Sequence, residues 1–322
     1  MLSEDGRSIR MKPTIDAVDI DLKTGSTLGF YGFGDDRPNI FIIAAMNGGS
    51  ATDVYTAYLV MKHLEGLNRI DGAVTVLPVA NPLAFRLGVK VSPLDSQDLD
   101  SVFPGDEHGT VTERTAREIW RRAQQADYII HLRTGKQNCV SHLVSMHREY
   151  IHVRNMTSQI GLPIAVQSSG QRGAIETEAA LEGIPVVSIE MRGDLDQVDS
   201  QAAVEVREAI LNFMRIKDMI EGEKIETSVR LLGRMQHVNV REEGFFTPRV
   251  NLGDRVYRDD VIGTVQEKRE VTSPYDGTLV SLSRMNYVFE GDLVARIAPS
   301  LGHDRVPLAT EEREVKPVRR KW

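Results

Sequence analysis

At 322 residues the chain is long enough for one large domain and a smaller one, each with a core of its own. Its 41% apolar and 26% charged content is that of an ordinary soluble globular chain, and a net charge of −7 with a pI near 5.7 argues against nucleic acid or an anionic membrane as partner. The single cysteine, Cys139, excludes an internal disulfide and reads as a core thiol, which suits a reducing, cytoplasmic setting. The N-terminus lacks the apolar core of a signal peptide, and no run approaches the ~20 apolar residues of a membrane span.

In chain order, residues 17–22 and 28–31 read as edge strands. Residues 40–45 (IFIIAA) form a continuous apolar run, the pattern of a strand covered on both faces, and run through Gly48 and Gly49 into a helix over 51–64. Ser50 stands three residues before Asp53 as a helix cap would, and Val54, Ala57, Tyr58, Met61 and Leu64 are placed on the inward face. A strand at 73–79 is followed by a long irregular stretch, 81–109, rich in Pro, Gly and Asp; segments of that kind in a compact domain are usually functional. Thr110 and Glu113 form a capping pattern for a helix to about Gln125, with Ala116, Ile119, Trp120 and Ala123 inward. Strand 128–132, helix 156–160, strand 164–166, helix 177–182, strand 185–190 and a long helix over 197–216 complete an alternation that predicts a mixed, mostly parallel sheet with helices on both faces. From residue 228 the helical period disappears, and Leu252-Gly253-Asp254 is echoed by Glu290-Gly291-Asp292, a weak duplication of the kind found in small β-barrel sandwiches. The expected organisation is therefore an α/β domain over 1–225, a β-barrel-sandwich domain over 226–300 and a mobile charged tail over 301–322.

Three strand ends carry the chemistry, because ligands of open α/β sheets sit beyond the carboxyl ends of the strands. These are Asn47 to Ser50, His131 to Arg133, and Glu190 at the end of VVSIE. On residue chemistry alone Glu190 suits either a general base or a salt-bridged rim carboxylate. His142, His147 and His152 are spaced by five, which matches neither a helix face nor a strand face, and read as scattered histidines. Lys268 in QEKRE lies near a hairpin without a carrier motif around it and reads as unmodified.

The long loop decides between families. Asn81-Pro82-Leu83-Ala84-Phe85, then Lys90, Pro93, Asp95, Asp98-Leu99-Asp100-Ser101 and Phe103-Pro104-Gly105 resemble the succinylglutamate desuccinylase and aspartoacylase family, whose pattern is roughly NPxAF followed by RxxPxDxxDLNRxFPG. The resemblance extends over about 38–298 and implies the zinc carboxypeptidase fold and a zinc-dependent amidohydrolase ancestry. It also exposes departures. The family's histidine and glutamate zinc ligands align with Asn47 and Ser50, and its third ligand, a histidine, aligns with Arg133. The resemblance assigns the general-base position to Glu190, which is retained. The Asn-Arg pair that holds the substrate carboxylate is Asp100 and Ser101 here, and the upstream arginine is Lys90.

What the resemblance implies is thus a catalytically degenerate relative of the N-acyl amino acid deacylases, with the fold kept and no cofactor. Such a protein is a binding, regulatory or scaffolding subunit, partnered by an active family relative in a hetero-oligomer and still able to take a small acidic ligand at a binding surface of Lys90, Asp98, Asp100, Ser101 and Arg133. In this reading the Arg133 guanidinium replaces the metal's charge and pairs with Glu190. The alternative is an active deacylase of small N-acyl amino acids, with Glu190 as general base and zinc at an unorthodox site that uses His131.

Overall fold

The structure, a computed structural model, describes residues 10–49, 51–135, 138–193 and 197–305. Its first part runs β1 (Thr14–Asp21), β2 (Ser26–Gly34), β3 (Asn39–Ile43), α1 (Ala51–Glu65), β4 (Ala73–Leu77), α2 (Pro82–Leu87), α3 (Val111–Ala123), β5 (Tyr128–Thr134), β6 (His142–Ser145), α4 (Ile151–Gln159), β7 (Ile164–Gln167), α5 (Ile175–Leu181), β8 (Val186–Met191), α6 (Ser200–Ile216) and β9 (Arg230–Arg234). β10 (Gln236–Asn239), β11 (Gly244–Pro248), β12 (Arg255–Val256), β13 (Val261–Val265), β14 (Arg269–Thr272), β15 (Gly277–Leu282), β16 (Asn286–Val288), β17 (Leu293–Ala298) and β18 (Ser300–Arg305) follow.

One ten-stranded sheet, in the order β1-β2-β4-β3-β5-β8-β6-β7-β9-β18, organises the chain. Its middle, β4, β3, β5 and β8, is parallel, as continuous apolar strands require. Helices cover both faces. Ala57 and Val60 of α1 pack with Val206 and Ile210 of α6 on one side, and Ile119 and Trp120 of α3 with Ile175 and Ala179 of α5 on the other. β1 is the edge strand expected; β2 lies one place in, between β1 and β4.

The capping box at Thr110 forms as the sequence predicts: its hydroxyl accepts from Glu113 N at 3.2 Å, and the Glu113 carboxylate accepts from Thr110 N at 2.8 Å. The face of α1 is rotated from the expected one. Thr56 and Val60 are buried while Tyr58 is exposed and stacks on Tyr55, because α1 packs chiefly against α6. Ser50 lies outside the described residues; Asp53 reaches back to accept from Ala45 N at 3.3 Å. The stretch 81–109 is less irregular than expected. Asn81 caps α2, Gly88 closes it in a left-handed conformation, and Leu99–Ser101 make one 3₁₀ turn capped by Asp98. β6 has no sequence counterpart, and α4 starts five residues before its expected position.

Two boundaries move. β9 lies within the segment assigned to the β domain but pairs in parallel with β7 in the large sheet, so the β sandwich starts at β10. Residues 300–305, placed largely in the tail, form β18 antiparallel to β9; residues 306–322 lie outside the described residues. The sandwich consists of two four-stranded sheets, β10-β17-β15-β12 and β14-β13-β11-β16, around Val238, Phe246, Ile262, Leu279 and Val294. Its duplication is visible in the turns. Gly253 and Gly291 have φ of 87° and 88°, and each following aspartate accepts from the amide three residues earlier at 2.8 Å.

The two units are joined beside the strand ends. After β5, Val140 N donates to Val280 O at 3.1 Å, Leu282 N donates to Asn138 O at 2.9 Å, and Cys139 forms a bridge with Ser281. Burial pushes the Cys139 thiol up to about 12, as expected of an inert core cysteine.

Candidate functional site

A cavity of about 220 Å³ lies beyond the carboxyl ends of β3, β5 and β8, lined by Asn47, Gly48, Lys90, His131, Arg133 and Glu190 among others, with Arg296 contributed by β17. The parallel register pairs Arg133 of β5 with Glu190 of β8, so the two side chains emerge as neighbours. Arg133 Nε lies 3.5 Å from Glu190 Oε2, Nη2 lies 3.2 Å from Asp100 Oδ2, and Nη1 lies 3.8 Å from Glu176 Oε1. The guanidinium therefore pairs with three carboxylates. Burial opposes its charge, but Asp100, Glu190 and Glu176 outweigh that and hold it firmly protonated.

Beneath Arg133 the network is buried. His131, two residues back on β5 and on the same side of the strand, donates from Nδ1 to Glu176 Oε1 at 2.8 Å and lies 4.0 Å from Asp100 Oδ1. Ser188 of β8 also donates to Glu176. Burial works against an imidazolium here, yet the Glu176 hydrogen bond and charge, with Asp100, hold His131 above its ordinary value. Burial would likewise raise Glu176, but His131 and then Arg133 keep it below the usual carboxylate range. Asp100 is pushed up by burial, against the pull of Arg133, and its Oδ1 has no hydrogen-bond partner among the described residues.

The turn after β3 is held by the long loop. Gly48 N donates to Val89 O at 2.8 Å, and a Cβ on Gly48 would strike the Ala84 and Val89 carbonyls. Oriented to satisfy its neighbours, the Asn47 amide nitrogen donates to Asp98 Oδ1 at 3.2 Å and to Lys90 O at 3.1 Å. Lys90 Nζ in turn pairs with Asp98 Oδ2 at 2.7 Å. Of the five residues expected to bind ligand, Lys90 and Arg133 line the cavity. Asp98 serves Asn47, Lys90 and the Asp100 amide, Asp100 sits behind Arg133, and Ser101 donates to Asp98 O at 2.8 Å, closing its own turn.

Zinc, implied by the fold, does not fit the residues present. Asn47, its nitrogen turned to Asp98, offers at most a neutral amide oxygen, which is not a usual zinc donor, and Arg133 places a cation where the third ligand of the resemblance falls. A second donor set exists: Asp100, His131 and Glu176 bring one ligand atom each within 4.8 Å of one another. There the imidazole Nδ1 is already spent on Glu176, and Arg133 lies against both carboxylates. Among the other histidines, His142 and His147 are buried and lowered by that burial, His147 to about 4, and neither is among the residues lining the cavity.

Residues 36–217, over half of the chain, match the sequence model of the succinylglutamate desuccinylase/aspartoacylase catalytic domain. The chain belongs to this family. Desuccinylases and aspartoacylases are N-acyl amino acid deacylases, and the same chemistry names a curated relative, N-alpha-acetyl-L-2,4-diaminobutyric acid deacetylase of Halomonas elongata. That protein is 25% identical over 279 residues, covering 79% of this chain and 81% of its own. Solved structures share the fold. An aspartoacylase family protein from Mesorhizobium loti superposes with a TM-score of 0.76 at 19% identity, covering 91% of this chain and 96% of its own. The product-bound ectoine utilization protein EutE (DoeB) from Ruegeria pomeroyi gives 0.77 at 18%, covering 91% and 100%.

Two residues of this family member's site escape sequence reasoning. Glu176 opens α5 in IETEAAL, where a glutamate among other glutamates reads as solvated, yet it is buried. Its one signal is the Ile175, Ala179, Ala180 face, which sets the helix start against β8. Arg296 sits in VARIA, where alternation points it away from the sandwich core; that direction is toward the cavity. Among the described residues no helix is long and apolar enough to cross a membrane.

Proposed function

We propose that this chain is a non-hydrolytic member of the deacylase family, one that retains the pocket to bind a small N-acylated amino acid or related acid and acts as a regulatory or scaffolding subunit beside an active relative. The observation that carries the reading is the Arg133 guanidinium, which sits between Glu190, Asp100 and Glu176 at 3.2–3.8 Å. A guanidinium offers only donors, so the Glu190 oxygen facing Arg133 is engaged by a fixed cation rather than left open to a water that a general base would have to meet. Asn47 supports the same reading, because a neutral amide stands where the resemblance places a histidine ligand, and zinc takes His, Cys or carboxylate donors.

The test is turnover. Purified protein, with and without added zinc, is incubated with N-acetyl-L-2,4-diaminobutyrate, N-succinyl-L-glutamate and N-acetyl-L-aspartate. No amine release above background is expected, and Glu190→Gln should leave that background unchanged. Zinc-dependent release abolished by Glu190→Gln would overturn the proposal.

The second reading, an active metal-dependent deacylase, draws on the Asp100, His131 and Glu176 donor set. It requires Arg133 to leave both carboxylates and His131 to release Glu176. Stoichiometric zinc in the purified protein, lost in His131→Ala, would favour it.

A further inference from the structure

The cavity holds three long cations, and they differ in what they already touch. Lys90 is paired with Asp98 at 2.7 Å, and Arg133 is surrounded by Asp100, Glu176 and Glu190. Arg296 has no carboxylate partner among the described residues, and its Nε is buried without a hydrogen bond. It lies on β17, opposite His237 on one side and Ser281 on the other, and it is half-buried between the core residues Ala295 and Ile297. Its charge reaches the strand ends, where it disfavours the imidazolium of His142.

With Nε enclosed by protein, it is the end of the Arg296 guanidinium, its two terminal nitrogens, that can meet a ligand in the cavity. The planar fork of arginine matches a carboxylate in two parallel hydrogen bonds, which an amide or alcohol cannot reproduce. The family arginine that would hold a substrate carboxylate is Ser101 in this chain, and Ser101 is turned into its own backbone. The cavity, about 220 Å³, falls below the usual ligand-pocket range of about 300–1,000 Å³ and so limits the occupant to a compact molecule.

We infer that Arg296, delivered from the β sandwich, is the carboxylate-recognition residue of this pocket, and that it takes over the task left vacant at Ser101. The ligand is a small carboxylic acid whose carboxylate sits on the Arg296 fork. The inference rests on the pocket being a ligand site; it is independent of whether the ligand is hydrolysed.

The experiment is calorimetric titration of the full chain at low salt with N-acetyl-L-alanine, with its carboxamide N-acetyl-L-alaninamide, and with malonate. Wild-type protein should bind the carboxylate at least about tenfold more tightly than the carboxamide, the scale expected for a charge-assisted bidentate pair against a neutral one. Arg296→Gln should erase that preference, and Arg296→Lys, which keeps charge without the fork, should restore part of it. A preference that survives Arg296→Gln overturns the inference, as does equal binding of acid and amide or no binding of either acid to wild type. Malonate binding that depends on Arg296, with no binding of N-acetyl-L-alanine, sustains the inference while removing the N-acyl ligand from the proposed function. Hydrolysis of N-acetyl-L-alanine with Arg296-dependent affinity also sustains it, while overturning the non-hydrolytic reading.

Discussion

The cavity has two unlike walls. The strand-end wall, formed by His131, Arg133 and Glu190 with Asp100 and Glu176 behind them, is charged throughout and internally paired. The sandwich wall brings a single cation, Arg296, without a carboxylate partner among the described residues. A paired charge is spent on structure, whereas an unpaired one in a cavity is available to whatever enters. The difference separates what this pocket does for the fold from what it can do for a ligand.

The largest expected effect comes from reversing the strand-end wall. Asn47→His, Ser50→Glu and Arg133→His together recreate a two-histidine, one-carboxylate ligand set, and metal analysis after dialysis should show close to one zinc per chain where wild type shows none. Failure to take up zinc would break the assignment of these positions. Next, Arg133→Met removes the cation from among three carboxylates. Breaking a buried pair typically costs about 3–5 kcal/mol, and because a third of the Arg133 side chain still meets solvent about 2–3 kcal/mol is expected in urea unfolding. A loss under about 0.5 kcal/mol would mean that the wall is not held by charge pairing.

Glu176→Gln tests the buried layer through pH. His131 is held above 6.5 in the folded chain, so its contribution is fully present below about pH 6.5 and is lost as pH climbs through the raised value. Glu176 is held below 4.5, so its contribution is present above about pH 4.5 and is lost as pH falls through the lowered value. Stability measured across pH should therefore be greatest between the two. Glu176→Gln should cost about 2 kcal/mol there, the scale of a charge-assisted hydrogen bond, and should flatten the alkaline decline. An unchanged pH profile would remove the His131–Glu176 pair from the account. The smallest effect is a control away from the cavity: Thr110→Ala opens the capping box of α3 and should cost about 1 kcal/mol with no change in ligand affinity.

How much of this was legible in the sequence depended on range. β3 could be read because a strand covered on both faces leaves an unbroken apolar run, β5 and β8 because His131 and Ser188 are single interruptions in theirs, and α3 because its cap is written within four residues. β6 could not, since buried His142 and Ser145 leave only Leu143 and Val144 as its apolar pattern. β9 was assigned to the wrong unit because pairing with β7, some sixty residues earlier, leaves no local mark. In the site, the Arg133 and Glu190 pair followed from the family resemblance, which aligns both positions, and it is set by strand register. Glu176 and Arg296 were not, because one is buried by a partner 45 residues away and the other faces a cavity built by a different unit.

The short splice after β5 has a kinetic consequence. Because Asn138 and Val140 are hydrogen-bonded to β15, the strand that carries Arg133 and the sandwich that carries Arg296 cannot swing apart without breaking backbone hydrogen bonds. The loop bearing Lys90 and Asp98 meets the turn after β3 through one backbone hydrogen bond, Gly48 N to Val89 O, and otherwise through the Asn47 amide and the Lys90–Asp98 pair. In hydrogen–deuterium exchange, the amides of Val140 and Leu282 should exchange slowly and together, as two ends of one splice.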